Sequence, residues 1–245
     1  MSDPFAKLPA TTRDDIRAVL PVALRKLGEP GAWLTGEQRV AVAEEVRQAW
    51  ACPLCKERKN ALSPYTVAGE HSHLGKLPSA WVDIVHPLTT DSGRLTRAWY
   101  QGIRDAGVGE DEFVEIVSVA IITAVIDCFM AGVGADLPPL PVPVAGEPAR
   151  SHVEEATLGP GWVSTIAPEN APDHFAHFYA NESYFYIRRS LTLVPEEVYR
   201  FWELMNPLYM SDPRVPELEG LDRSINRAQI EFLAARASAL LGCYY

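Results

Sequence analysis

The chain has 245 residues, 47% hydrophobic and 22% charged, enough for one large or two modest domains with a sizeable buried core. Its 32 acidic and 22 basic residues leave a formal net charge of -10. That sign repels phosphate backbones and argues against nucleic acid as a partner. The start, MSDPFAKLPATTRDD, has no apolar run behind a basic end, so no secretory signal is read. Four cysteines without such a signal point to a reducing compartment, the cytoplasm by default.

A first helix is expected in TTRDDIRAVLPVALRKLG, from its threonine and acidic start, late lysine and closing glycine. Pro21 inside it should kink or divide it. LTGEQRVAVAEEVRQAW follows, with Thr35 and Gln38 at capping-box spacing and Val40, Ala43, Val46 and Trp50 at helical intervals between charges. Directly after it stands WACPLCKERKN. Pro53 suits the first position of a helix, where its missing N–H would be an orphan anyway. Cys52 is then the N-cap and Cys55 lies in the first turn. Both sulfurs would face the positive end of the helix dipole, with Lys56, Arg58 and Lys59 adding positive charge. Each factor favours thiolate, the state that redox and nucleophilic cysteines need, and the two-residue gap allows a disulfide with little backbone movement. Helix-end geometry alone favours Cys52 as the more exposed thiol.

PSAWVDIVHPL, LTRAWYQGIRDAG and EDEFVEIVSVAIITAVIDCFMAG read as three more helices, with Gly107 and Gly132 as stops. The uncharged run of the last ends at Asp127, short of the ~20 apolar residues of a membrane span. It is expected to be a buried helix, with no membrane as a partner. Asp127 needs a hydrogen bond or an ion pair there, and Cys128 is expected in the core. His86, beside Pro87, carries no signal, nor does His152. GADLPPLPVPVAGEPARS, with five prolines, reads as an extended connector. Residues 137–150 would thus join a first region, 1–136, to a second, 151–245.

Beyond the connector, DHFAHFYANESYFYIRRSL, PEEVYRFWELMNPLY and NRAQIEFLAARASALLG continue the helical pattern, with boundaries before Pro195 and Pro207. Tyr184, Phe185 and Tyr186 could form a short strand but have no partner nearby. His174 and His177 read as surface or interface residues. Phe175, Phe178, Tyr179, Tyr199, Phe201 and Trp202 read as core, some of them at a subunit interface. There is no βαβ alternation and no series of hairpins, so the fold class is all-α. No glycine-rich phosphate loop, GxSxG elbow or HExxH motif occurs.

An amphipathic helix leading into CxxC in an all-α chain resembles the alkylhydroperoxidase D-like (AhpD-like) and carboxymuconolactone decarboxylase superfamily. EQRVAVAEEVRQAWACPLC and GRLTRAWYQGIRDAGVGEDEFVEIVSVAIITAVIDCFMAGVG carry the resemblance, and RAQIEFLAARASALLGCYY resembles the lead-in helix a second time. It implies an AhpD-like helical fold in two tandem regions, the second a truncated copy, assembled as a homo-oligomer without an organic cofactor. It also implies a thiol-dependent peroxidase or disulfide oxidoreductase. Such an enzyme takes a small hydroperoxide or disulfide substrate and is recycled by a dithiol electron donor.

In the family mechanism the second cysteine attacks and the first resolves, which gives those roles to Cys55 and Cys52. The family's glutamate stands twelve residues before the first cysteine and its histidine four after the second. Val40 and Lys59 hold those places here. The proton relay therefore falls to Glu45, seven residues before Cys52 on the same helix face, or to Glu70, His71 or His73. In the second copy Glu231 stands twelve residues before Cys243, with Arg227 ahead of it. The partner thiol would fall past Tyr245, so the natural chain is expected to continue, a recoded selenocysteine being one form of that. Two other readings stay open. One is a non-catalytic protein whose Cys52, Cys55, His71 and His73 hold zinc; the other is a decarboxylase-like family member without thiol chemistry.

Overall fold

The structure, a computed structural model, describes residues 4–179, 186–210 and 223–243. In chain order its helices are α1 (Asp14–Leu27), α2 (Gly36–Ala49), α3 (Pro53–Asn60), α4 (Ser79–Asp91), α5 (Arg97–Asp105) and α6 (Glu110–Gly132). After the proline-rich segment come the one-turn helices α7 (Asp173–Ala176) and α8 (Tyr186–Arg189), then α9 (Pro195–Leu208) and α10 (Arg227–Leu241). Among the described residues the expected all-α class holds with one small exception. β1 (Ala156–Leu158) and β2 (Ser164–Ile166) form an antiparallel hairpin with Thr157 opposite Thr165. Three-residue strands leave too little alternation for sequence periodicity to detect.

α6 is the axis of the core. It is apolar nearly all round, and α1, α2, α4 and α9 take up its faces. Its length and composition would also suit a membrane crossing, yet two-thirds of its most apolar window is buried inside the fold. Asp127 near its end meets Arg47 of α2 in a bidentate pair, with Nε to Oδ2 at 2.8 Å and Nη2 to Oδ1 at 2.7 Å. That is the partner a carboxylate in such a helix requires. Cys128, expected in the core, is instead exposed. The helix turns 100° per residue, so the position next to a buried one can face solvent.

α2 opens with the expected capping box, Thr35 accepting from Gln38 N–H and Gln38 accepting in return from Thr35 N–H. Its charged positions are not all on a solvated face. Arg39 is wholly buried between Glu115 of α6 and Glu197 of α9, and Glu197 also accepts from Ser118 Oγ at 2.7 Å. Pro21 sits inside α1 without dividing it: Leu20, Ala23, Leu24 and Leu27 stay buried along one continuous face. Similarly α9 runs through Asn206–Pro207, while Val194 before Pro195 does stand at its N-cap.

The proline-rich segment 137–150 contains no helix or strand, and the chain on either side of it shares one core. Val144 N–H bonds the Gly28 carbonyl at 2.8 Å and Arg150 N–H bonds the Ala32 carbonyl at 2.7 Å, so the segment runs as a strap over the ends of α1 and α2. Phe175, Leu193, Val198 and Leu204 beyond it belong to the same core as Leu20, Val42 and Ile116. His174 and His177 are exposed, and His177 stacks on Tyr199 with ring centroids 5.8 Å apart. Of the aromatic trio, Tyr186 opens α8, while Tyr184 and Phe185 lie outside the described residues. α10 has a capping box from Asn226 and Gln229 but buries no residue, leaving Phe232, Leu233, Leu240 and Leu241 exposed.

Candidate thiol site

Four elements meet at the CxxC. α2 ends at Ala49, and the turn after it delivers Cys52 as N-cap of α3 with Pro53 at its first position, as the sequence predicts. The Cys52 thiol makes no capping bond, and both cysteines are buried and unbridged. The loop between α3 and α4 folds back to bring His71 over the sulfurs. α4 presents His86 beside it, the two ring centroids 4.3 Å apart, and α2 supplies Glu45 one turn before its end.

His71 Nδ1 lies 3.6 Å from Cys52 Sγ and 3.4 Å from Cys55 Sγ. His86 Nδ1 lies 3.3 Å from Cys55 Sγ, and its Nε2 is 2.8 Å from Glu45 Oε1. Glu45 Oε2 accepts from Leu74 N–H at 3.1 Å, so each carboxylate oxygen has its own donor. This network assigns the tautomers. His86 keeps its proton on Nε2 for Glu45 and offers the Nδ1 lone pair to Cys55. On the other ring, Arg58 Nη1 is 3.3 Å from His71 Nε2, which leaves Nδ1–H to donate toward both sulfurs.

Burial dominates the electrostatics. It pushes the Cys55 thiol up to about 12, outweighing the nearby Arg58 charge. The expectation of thiolates stabilised by the helix end is thus reversed for Cys55, because losing water costs the charged form more than the dipole returns. Burial likewise lowers His71 to about 4, with His86 and Arg58 adding to the shift. His86 is also lowered by burial, partly offset by Glu45. Both imidazoles are therefore neutral bases at neutral pH.

The two thiols differ in access. Cys55 lines a cavity of about 400 Å³ whose wall includes Arg58, Tyr65, Asp83, Trp99 and Ile103; Cys52, fully shielded, lies outside that lining. The order is opposite to the helix-end expectation, since the first turn of α3, not its cap, faces the opening. Pro87 helps build this wall. Its missing N–H leaves the Asp83 carbonyl without its helical donor, and Trp99 Nε1 bonds that oxygen instead at 3.0 Å. A wider groove of about 1240 Å³ lies between α2 and the strap, but its Arg47 and Lys76 are already paired with Asp127 and Glu44.

Of the residues singled out in the sequence, Cys52, Cys55, Glu45 and His71 come together. His73 does not: it is exposed, and its Nδ1 accepts from Gly75 N–H at 3.0 Å. Glu70 is exposed, and Lys59 pairs with Asp91 at 3.1 Å. Glu231 bonds Tyr209 Oη at 2.7 Å and pairs with Arg227, while Cys243 is exposed just past the end of α10. His86 is the residue of this cluster that no sequence motif marks. Its one signal is a lone imidazole among Trp81, Val82, Ile84 and Val85 on a buried helix, a place where a polar ring must find partners. Compared with family models, curated proteins and solved structures, the chain matches none.

Proposed function

We propose that this chain is a thiol-dependent peroxidase or disulfide oxidoreductase of AhpD-like type, with Cys55 as attacking and Cys52 as resolving thiol. The carrying observation is the relay Cys55 Sγ, His86 Nδ1, His86 Nε2, Glu45 at the inner end of a ligand-sized cavity. A thiol held near 12 is a poor nucleophile at rest, so its proton must leave as the substrate is met. His86 accepts that proton, and the Glu45 carboxylate stabilises the imidazolium.

The sulfur then attacks the outer peroxide oxygen. The O–O bond breaks, the alkoxide takes the proton back from His86, and Cys55 becomes a sulfenic acid. Cys52 attacks that sulfur to give a Cys52–Cys55 disulfide and water. His71 Nδ1–H, within 3.6 Å of both sulfurs, can stabilise whichever carries charge. An external dithiol reduces the disulfide, so each cycle converts hydroperoxide and dithiol into alcohol, water and disulfide.

The test adds one equivalent of an organic hydroperoxide to the reduced protein, followed by thiol counting and peptide mapping. Loss of two thiols with a Cys52–Cys55 bridge is expected, reversed by dithiol. Thiols untouched by peroxide would end this reading.

A further inference from the structure

The groups at the thiol site are also spaced for a metal. Zinc binds thiolate sulfur at about 2.3 Å and imidazole nitrogen at about 2.0–2.1 Å, so the sulfur–nitrogen edges of its tetrahedron are about 3.5–3.6 Å. Three such distances in this fold are 3.6 Å, 3.4 Å and 3.3 Å, and all four ligand atoms lie within 4.8 Å of one another. A thiol–imidazole hydrogen bond explains one edge. It does not require a second imidazole, its ring centroid 4.3 Å from the first, to aim its nitrogen at the same Cys55 sulfur.

We infer that Cys52, Cys55, His71 and His86 bind one zinc ion, with Glu45 and Asp83 as the carboxylates behind the imidazoles. Two thiolates neutralise the ion, which suits four buried ligands. The mixed thiolate–imidazole set favours zinc over magnesium or calcium. Glu45 Oε1, 2.8 Å from His86 Nε2, already forms the carboxylate–histidine pairing that orients a metal-binding ring. On His71, ligation through Nδ1 moves the proton to Nε2, where Asp83 Oδ1 stands 3.8 Å away. Arg58, 3.3 Å from the same nitrogen, must then swing aside. The inference does not depend on peroxidase activity. Metal-loaded thiols are shielded, so zinc and peroxide compete for one set of atoms.

The experiment titrates cobalt(II) into the full chain, reduced and stripped of metal, and then displaces it with zinc. Expected are one ion per chain, a thiolate-to-cobalt charge-transfer band and the intense visible bands of tetrahedral cobalt. Cys52→Ser and His86→Ala should abolish that spectrum, and Glu45→Gln should weaken zinc about 10- to 100-fold. Arg58→Ala should tighten zinc binding, and His73→Ala should leave it unchanged. Wild-type protein that gives no tetrahedral spectrum overturns the inference, and so does a site lost in His73→Ala but kept in His86→Ala. Zinc binding without peroxide turnover would remove the enzymatic reading and leave this one standing; turnover without zinc binding would do the reverse.

Discussion

Glu45 and His86, 41 residues apart in the chain and both wholly buried, face each other with Oε1 2.8 Å from Nε2. That contact decides which imidazole nitrogen meets the Cys55 sulfur. The second Glu45 oxygen is taken by Leu74 N–H, so the carboxylate also ties down the loop that carries His71.

Glu45→Gln is therefore not a neutral change. An amide has one oxygen for two donors. Facing its oxygen to Leu74 N–H turns its NH2 toward His86 and forces the proton onto Nδ1, removing the base from Cys55. The reverse orientation sets the NH2 against Leu74 N–H. The rate of Cys55 oxidation by hydroperoxide should fall about 100-fold, within the range of general-base effects. Stopped-flow thiol loss measures it, and a rate within about twofold of wild type would exclude Glu45 from the relay.

The two cysteines should fail differently. At the site Cys55→Ser leaves only the shielded Cys52 thiol and should abolish dithiol-recycled peroxide turnover, which the exposed Cys128 and Cys243, outside the relay, do not support. Cys52→Ser should still react once, stopping at a Cys55 sulfenic acid that a carbon nucleophile such as dimedone captures. Mass spectrometry of the adduct decides the order. An adduct on Cys52 in the Cys55→Ser protein would reverse the roles.

Acid should destabilise the metal-free, reduced fold through its histidines. Burial, with His86 and Arg58 nearby, holds His71 neutral down to about 4, below the ordinary value of 6.5. Between those values the unfolded chain binds a proton that the folded chain refuses. Stability is full above 6.5 and falls as pH drops, by at most about 1.4 kcal/mol per pH unit from this one group. His86, also lowered by burial, acts in the same direction. Urea unfolding at about pH 7.5 and about pH 5, on either side of that ordinary value, should show the loss, and His71→Gln should show less of it. Identical slopes would remove His71 as a source.

Arg39 should be the costliest single side chain to remove. It holds Glu115 and Glu197 together across α2, α6 and α9, and all three side chains are fully shielded. Arg39→Met leaves two buried carboxylates without their shared cation, a loss of about 3–5 kcal/mol. Gly31→Ala attacks the same place from the loop, since an added Cβ would lie 1.7 Å from Glu115 Oε1. Urea denaturation of both variants checks this. A change under about 1 kcal/mol in Arg39→Met would mean the carboxylates neutralise themselves at little cost.

Local signals carried the helices well and the site less completely. The Thr35–Gln38 box, Pro53 and the stop at Gly107 work through neighbours a few residues away, and each stands where the sequence put it. Pro21, Asn206–Pro207 and Cys128 read differently because tertiary packing, not local preference, settled them. The thiol pair was legible from its spacing and Glu45 from its helix face. His86 was not, because what places it in the cluster is a partner 41 residues away and a sulfur 31 residues away. His71 rather than His73 faces the sulfurs for a similar reason. The loop's path is fixed by long-range bonds, Leu74 N–H to Glu45 and Gln48 Nε2 to the Ser72 carbonyl, which no spacing within EHSH encodes.

The cavity beside Cys55 should act as a size filter, and α5 sets its width. Ala98 and Gly102, four residues apart on one face of α5, line it together with Ala106 at the helix's C-cap. A Cβ added at Gly102 meets nothing within 4 Å, so a larger residue there can occupy the opening without displacing backbone. Gly102→Leu should not destabilise the protein, since leucine is favoured over glycine in a helix by about 0.8 kcal/mol. It should instead divide substrates by bulk. Turnover of an aryl hydroperoxide should fall about tenfold or more in kcat/KM, the scale of a few misplaced methylenes in a binding pocket. Hydrogen peroxide, which needs little room, should keep nearly its original rate with the same Cys55. Parallel steady-state assays with the two oxidants make the comparison. Equal losses would mean that the introduced side chain disturbs the thiol itself, and no loss for either would place substrate entry elsewhere than the cavity over Trp99 and Ile103.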